Sequence, residues 1–171
     1  MTTTAATDAD ESGAHPRFAE ALRTLGLADV LARTRRFPEA TRTAAEAAAA
    51  IGCELSQICK SLIFAADGAP VLVLMDGASR VDVERVREEL GAGKVTRADA
   101  GVVRETTGYA IGGVPPFGHR TRTRVLADRS LLAHDVVWAA AGTPHTVFPI
   151  EPGALVAHAG ADLVDVREPT A

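Results

Sequence analysis

Two stretches of the chain carry residue types and spacing suited to chemistry. The first, "QICKSLIFAADGAPVLVLMDG" from Gln57 to Gly77, sets Lys60 at the mouth of an apolar strand. Period-two alternation puts Lys60 on one side with Leu62 and Phe64, and Ser61, Ile63 and Ala65 on the other. Only two of the eighteen basic residues are lysines, which suggests that position 60 wants a compact ammonium rather than a guanidinium fork. Such a group can meet a negatively charged ligand. The alternative is a strand-start lysine whose stem covers apolar surface while its head reaches water.

The second stretch is "TGYAIGGVPPFGH", Thr107 to His119, with four glycines and two prolines between a helical and a strand pattern. Glycine lets a backbone approach a ligand closely, and proline holds such a loop in one shape. Consecutive N–H groups in a Gly-rich turn make a small anion nest. No Gly-Lys-Ser/Thr follows, so this is not a P-loop, and no strand leads into it, so it is not a dinucleotide fingerprint. A rigid structural loop accounts for the same composition. His119, one residue past the loop, is a candidate general base; its competing role is a loop-end histidine bonded to backbone or phosphate. Tyr109, the only tyrosine, either packs the loop or stacks on a base. Asp128 before "RSLL" is placed as an N-cap. His134 and His145 have no partner that the sequence identifies.

The elements that must position these groups follow from periodicity and caps. "PRFAEALRTLGL" spaces Phe18, Leu22 and Leu25 on one helical face, and "ADVLARTRRF" reads as a short strand. "TRTAAEAAAAIG" has Thr43 and Glu46 in capping-box spacing and Gly52 as its stop. A hairpin turning at "DGAP" comes next, then a helix capped by Asp82 and closed by Gly91. "KVTRADAGVVRETTG" gives a strand and a helix ending at Gly108. "TRVLAD" is a strand, and "HDVVWAAAG" and "TVFPI" are hairpin arms joined through "GTPH". A helix over "EPGALVAHAG" and a last strand, "DLVDV", complete the chain. Hairpins interleaved with helices, without regular βαβ spacing, predict an α+β fold: one compact domain, 17–171, with a mixed, mainly antiparallel, barrel-like sheet and surrounding helices.

Composition narrows the function classes. A chain of 171 residues with 47% hydrophobic content can bury a full core, built from Val, Leu, Ile and Ala because aromatics make up only 4%. No apolar run is long enough for a membrane span. Residues 1–16, polar and acidic, read as a disordered tail and not as a signal peptide, and the cytoplasm is the default location. Cys53 and Cys59, without a histidine at ligand spacing, make neither a zinc site nor a disulfide framework; no metal and no cofactor is expected. The net charge of −4 owes three units to Asp8, Asp10 and Glu11, so the remainder lacks the field that broad nucleic-acid binding needs. DNA is not an expected partner, and any RNA contact should be confined to an end or loop.

Taken in order, "TAAEAAAAIGCELSQICKSLIF", "PVLVLMDGASRVD", "KVTRADAGVVRETTGYAIGGVPPFGH", "RVLADRSLL" and "VVWAAAGTPHTVFPIEPGALVAHAGADLVDV" resemble the YbaK family. Its members are freestanding relatives of the editing domain inserted in bacterial prolyl-tRNA synthetases. The pairing of a lysine in "QICKSL" with a downstream "GYAIGGVPPFG" is the most specific part of this likeness. The resemblance implies an aminoacyl-tRNA deacylase acting in trans, whose partners are the tRNA acceptor end and prolyl-tRNA synthetase. It implies that Lys60 holds the terminal adenosine or its phosphate. Amides of Gly112, Gly113 and Val114 would face the ester carbonyl, and Pro115 and Pro116 would stiffen the loop. Tyr109, Phe117, Gly118 and Gly142 join the implied substrate-binding set, and a substrate hydroxyl orients the water. Where cysteine-selective members carry a Gly-rich turn and a carboxylate, this chain reads "TPHTVF". Alanine, serine or another small residue therefore fits the resemblance better than cysteine. The rivals are a non-catalytic module that binds a tRNA 3′ end or nucleotide, and a subunit that docks on a synthetase.

Overall fold

The computed structural model describes residues 13–41 and 43–169. The expected tail falls mostly outside these residues, but its last part is packed: Ala14 is buried, and the His15 amide donates to the Ala141 carbonyl at 3.0 Å. Helix α1 (Pro16–Thr24) follows, with proline in its first turn, where a missing N–H costs nothing. The His15 ring caps it by accepting from the Arg17 amide at 3.1 Å. Phe18, Ala19 and Leu22 form its buried face.

The strand expected over "ADVLARTRRF" is instead a short helix, α2 (Ala28–Ala32), followed by a two-residue strand, β1 (Arg35–Arg36). Adjacent Val30 and Leu31 are both buried. Neighbours on a strand point to opposite faces, whereas a helix can turn two successive side chains toward one core. The other elements fall near the positions that the patterns predict. Helix α3 (Ala44–Ile51) is capped by Thr43, whose hydroxyl accepts from the Glu46 amide at 3.1 Å. A single 3₁₀ turn (Leu55–Gln57) leads into β2 (Cys59–Ala66) and β3 (Ala69–Asp76). Asp67 and Gly68, with φ of 49° and 84°, make the two-residue turn between them, so Ala69 and Pro70 already belong to β3. The Asp67 carboxylate pins this turn by accepting from the Gly93 and Lys94 amides, both at 2.9 Å.

Next come α4 (Val83–Leu90), β4 (Val95–Arg97), α5 (Ala100–Thr107) and β5 (Arg124–Asp128). A second 3₁₀ turn (Arg129–Ala133) precedes β6 (Val137–Ala140), β7 (Thr146–Ile150), α6 (Pro152–Ala159) and β8 (Asp162–Val164). Five strands form a mixed sheet in the order β4-β2-β3-β5-β8, and β1, β7 and β6 form an antiparallel one. β5 runs parallel to both β3 and β8, while β2 is antiparallel to both β3 and β4. A bridge between Ile58 and Trp138 links the two sheets without closing them into a barrel. The architecture is α+β.

Alternation along β2 and β3 splits the core. Cys59, Ile63, Leu72 and Leu74 face the smaller sheet and α1, whereas Phe64, Val71, Val73 and Met75 face Val86 of α4. Among the described residues no helix is long and apolar enough to cross a membrane.

Asp128 ends β5 and is 3% exposed. One carboxylate oxygen accepts from the Ser130 amide at 3.0 Å, and the other from the Val166 amide at 2.8 Å. Asp128→Ala strands both donors, and the loss should be about 2 kcal/mol. Urea unfolding of the purified variant measures it, and a difference within experimental error would refute the assignment.

Candidate active site

Strand β2 has uneven neighbours. β4 pairs with it only from Phe64 to Ala66, and the Ala98 amide adds one bond to the Ile63 carbonyl at 3.1 Å. The bridge to β6 lies further back, at Ile58. Between these points no strand among the described residues pairs with the outer edge of β2, and a cavity of about 300 Å³ opens there. Its walls come from β2 (Lys60 to Ile63), the end of β4 (Arg97), the start of α3 (Thr43, Ala44), β6 (Trp138 to Ala140) and the glycine loop (Ile111, Gly112, Val114).

Lys60 and the glycine loop therefore border one cavity, although their local geometries differ. The half-buried Lys60 ammonium donates to the Ser79 carbonyl. Burial pulls its pKa below the usual lysine value; the Asp76 carboxylate opposes that shift, while Arg97 and Arg80 add to it. Asp76 is itself buried and fully engaged, accepting from the Ala78 amide at 2.9 Å and the Ser130 hydroxyl at 2.6 Å. An ammonium on an apolar face is thus explained locally: it ends at a backbone carbonyl within the field of a buried carboxylate.

In the loop, Gly112 and Val114 line the cavity, but Gly113 does not. The Gly113 amide donates to the Ala110 carbonyl at 3.0 Å, whereas those of Gly112 and Val114 have no partner among the described residues. Gly113 instead permits contact with the β6–β7 turn. A Cβ there would lie 2.9 Å from the Thr143 backbone. Gly142 has a φ of 96°, and a Cβ on it would meet the His15 side chain at 2.3 Å. These two glycines let the loop and the turn close one end of the site.

The remaining predicted residues support the loop from behind. Tyr109 is 2% exposed, and its hydroxyl donates to the Gly118 carbonyl at 2.8 Å. Burial raises its pKa far above the usual phenol value. Its ring meets those of His15 and His119 edge-on, with centroids 5.0 and 6.0 Å away. Phe117 is buried against Phe18 and Phe148. His119 Nε2 lies 2.6 Å from the Pro115 carbonyl oxygen. A carbonyl only accepts, so that nitrogen carries the proton. Pro115, Phe117, Gly118, His119 and Gly142 are not part of the cavity wall.

Ser61, Arg97 and Trp138, none of them among the predicted site residues, also lie in the wall. Trp138 carried one available signal, as the only tryptophan in the chain. The Arg35 guanidinium stacks on it at 5.7 Å and donates to the Ile51 carbonyl at 3.2 Å. This wall contains hydroxyls and cations but, among the described residues, no Asp, Glu or His.

Burial lowers the pKa of His119, and its bond to Pro115 only partly offsets the shift. The fold therefore prefers the neutral ring. As pH falls below about 6.5 the unfolded chain takes up this proton first, and stability declines toward the lowered folded value. His119→Asn should flatten part of that acid decline, leaving the part due to His15, which burial shifts in the same direction. Urea midpoints between about pH 7.5 and about pH 5.5 measure the slope; parallel profiles for the two proteins would contradict the assignment.

Comparison with known proteins converges on one family. Residues 38–157 match the family model described as aminoacyl-tRNA editing domain. The uncharacterized protein YwhH of Bacillus subtilis (strain 168) is 34% identical over 117 residues, covering 68% of this chain and 74% of that protein. The proline–tRNA ligase of Streptococcus sanguinis (strain SK36) is 31% identical over 129 residues, 74% of this chain but 20% of the ligase. The crystal structure of a candidate trans-editing enzyme for prolyl tRNA synthetase superposes with a TM-score of 0.83 at 40% identity, covering 90% of this chain and 96% of that one.

Proposed function

Because the chain belongs to the aminoacyl-tRNA editing domain family, and is related to prolyl-tRNA synthetase editing, we propose that it is a trans-acting deacylase. It cleaves the ester of a small amino acid wrongly attached to tRNA, with tRNA(Pro) the first candidate, and works in the cytoplasm. The observation that carries this reading is the single cavity bordered by Lys60, Gly112 and Val114.

The physical need is discrimination. A pocket shaped for proline excludes a smaller amino acid by only about 1–3 kcal/mol per missing methylene, so a second site that hydrolyses the smaller product restores accuracy. In this reading water attacks the ester carbonyl carbon, and the bond to the ribose oxygen breaks. The free amino acid leaves, and the tRNA 3′ end regains its hydroxyl. An aminoacyl ester is already activated, and a described wall without carboxylate or imidazole suits a water oriented by the substrate's own ribose hydroxyl.

The loop amides of Gly112 and Val114 serve the oxygen on which negative charge grows. Gly113 serves by allowing the loop to approach Thr143, and His119 by holding Pro115. Lys60 exchanges the Ser79 carbonyl for a phosphate or adenosine oxygen, a stronger acceptor when anionic. Arg97, on the same wall, adds positive potential for the tRNA end.

Purified protein should release alanine, serine or another small amino acid from mischarged tRNA(Pro) and leave prolyl-tRNA(Pro) intact. Lys60→Ala should lower kcat/KM by about 100-fold, the worth of a hydrogen bond to a charged group, with an unchanged circular dichroism spectrum. Binding of uncharged tRNA without hydrolysis of any mischarged species would support a binding module instead. Full turnover by Lys60→Ala would remove Lys60 from the mechanism.

A further inference from the structure

Among the polar groups of the cavity wall that have no role in the reading above, Ser61 stands apart. Ser61 Oγ is screened from solvent and is the one buried side-chain polar atom without a hydrogen-bond partner among the described residues. A buried hydroxyl left unpaired weakens a fold, and such groups in native structures call for an explanation. Ser61 lies between Cys59 and Ile63 on the β2 face that packs against the smaller sheet. An apolar side chain would suit that face and remove the cost. The chain keeps a hydroxyl there, in the cavity wall.

The backbone points the same way. The Ile63 carbonyl accepts from the Ala98 amide, so the peptide groups of Ser61, two residues earlier, face the same outer edge. Among the described residues no strand pairs with that edge between Ile58 and Phe64. The strand edge offers neutral carbonyl acceptors beside two cations, Lys60 and Arg97, while the Ser61 hydroxyl is screened from that space.

An aminoacyl ester always brings one donor whatever its side chain: the α-amino group. With no carboxylate in the described wall, a neutral oxygen has to receive it. We propose that Ser61 Oγ, turned about χ1 into the cavity, accepts a hydrogen bond from the substrate's α-amino group and so positions the ester between Lys60 and the glycine loop. Ser61 is then a specificity residue that separates aminoacyl esters from acyl esters of the same size. The assignment rests on the deacylase reading, and its test separates the two.

The probes are three: adenosine, and 3′-amino-3′-deoxyadenosine bearing an alanyl or a propanoyl amide, a pair that differs only in the α-amine and cannot be cleaved as an ester. The full chain should bind the alanyl probe about 10-fold more tightly than the propanoyl probe. Ser61→Ala should bind both equally, keep its affinity for adenosine, and unfold at the same or a higher temperature. Ser61→Thr should restore the preference, and Ser61→Cys repeats the measurement if the alanine variant does not fold. A preference retained without the hydroxyl, or no preference in the unaltered chain, overturns the assignment of Ser61 alone. Failure of the unaltered chain to bind any of the three probes overturns the deacylase reading and this inference together.

Discussion

The glycine loop and the β6–β7 turn touch backbone to backbone, and the cavity depends on that contact. Gly113 sits where a single added carbon would lie 2.9 Å from the Thr143 main chain. On the other side of the turn, Gly142 leaves room for His15, whose ring in turn lies edge-on to Tyr109. The aromatic hydroxyl of Tyr109 and the imidazole of His119 then fasten the loop to its own carbonyls at Gly118 and Pro115. These bonds stiffen the loop from within, and the glycine at position 113 sets how closely it can approach the turn. That approach helps to set where Gly112 and Val114 stand relative to β2.

Electrostatics imposes the second constraint. Half-burying an ammonium is unfavourable unless something nearby is negative or a strong acceptor. Here Asp76 supplies the field and the Ser79 carbonyl supplies the bond. Asp76 makes its own hydrogen bonds to Ala78 and Ser130, so the charge partner is tied to β3 and to the turn after β5. The lysine is thereby held near the cavity by the large sheet, and the loop is held there by the small one. Each sheet contributes one wall.

Sequence made much of this legible because the signals are local. Caps at Thr43, Asp82 and Asp128, and the Asp67-Gly68 turn, are each decided by a few neighbouring residues. The α2 segment misled because five residues are too few to show a helical period. Ser61 and Arg97 were invisible for a different reason. Whether a strand hydroxyl finds a partner depends on which strand lies beside it, and β4 stops short of Ser61. Likewise, a tandem of glycines predicts close approach but not what is approached. Family likeness named the loop's residues, yet only coordinates separate Gly112 and Val114, which border the cavity, from Gly113, which lets the main chains meet.

The burial of α1 bears on how the molecule is made. Phe18 packs against Phe117 and Phe148, and the amide of His15 is bonded to Ala141. Synthesis runs from the amino terminus, so the helix emerges from the ribosome long before any of these partners exists. Its apolar face must stay exposed, or be shielded by a chaperone, until most of the chain has been translated. Docking of this face onto Phe117 and Phe148 is thus a long-range step, of the kind that loop-closure entropy slows.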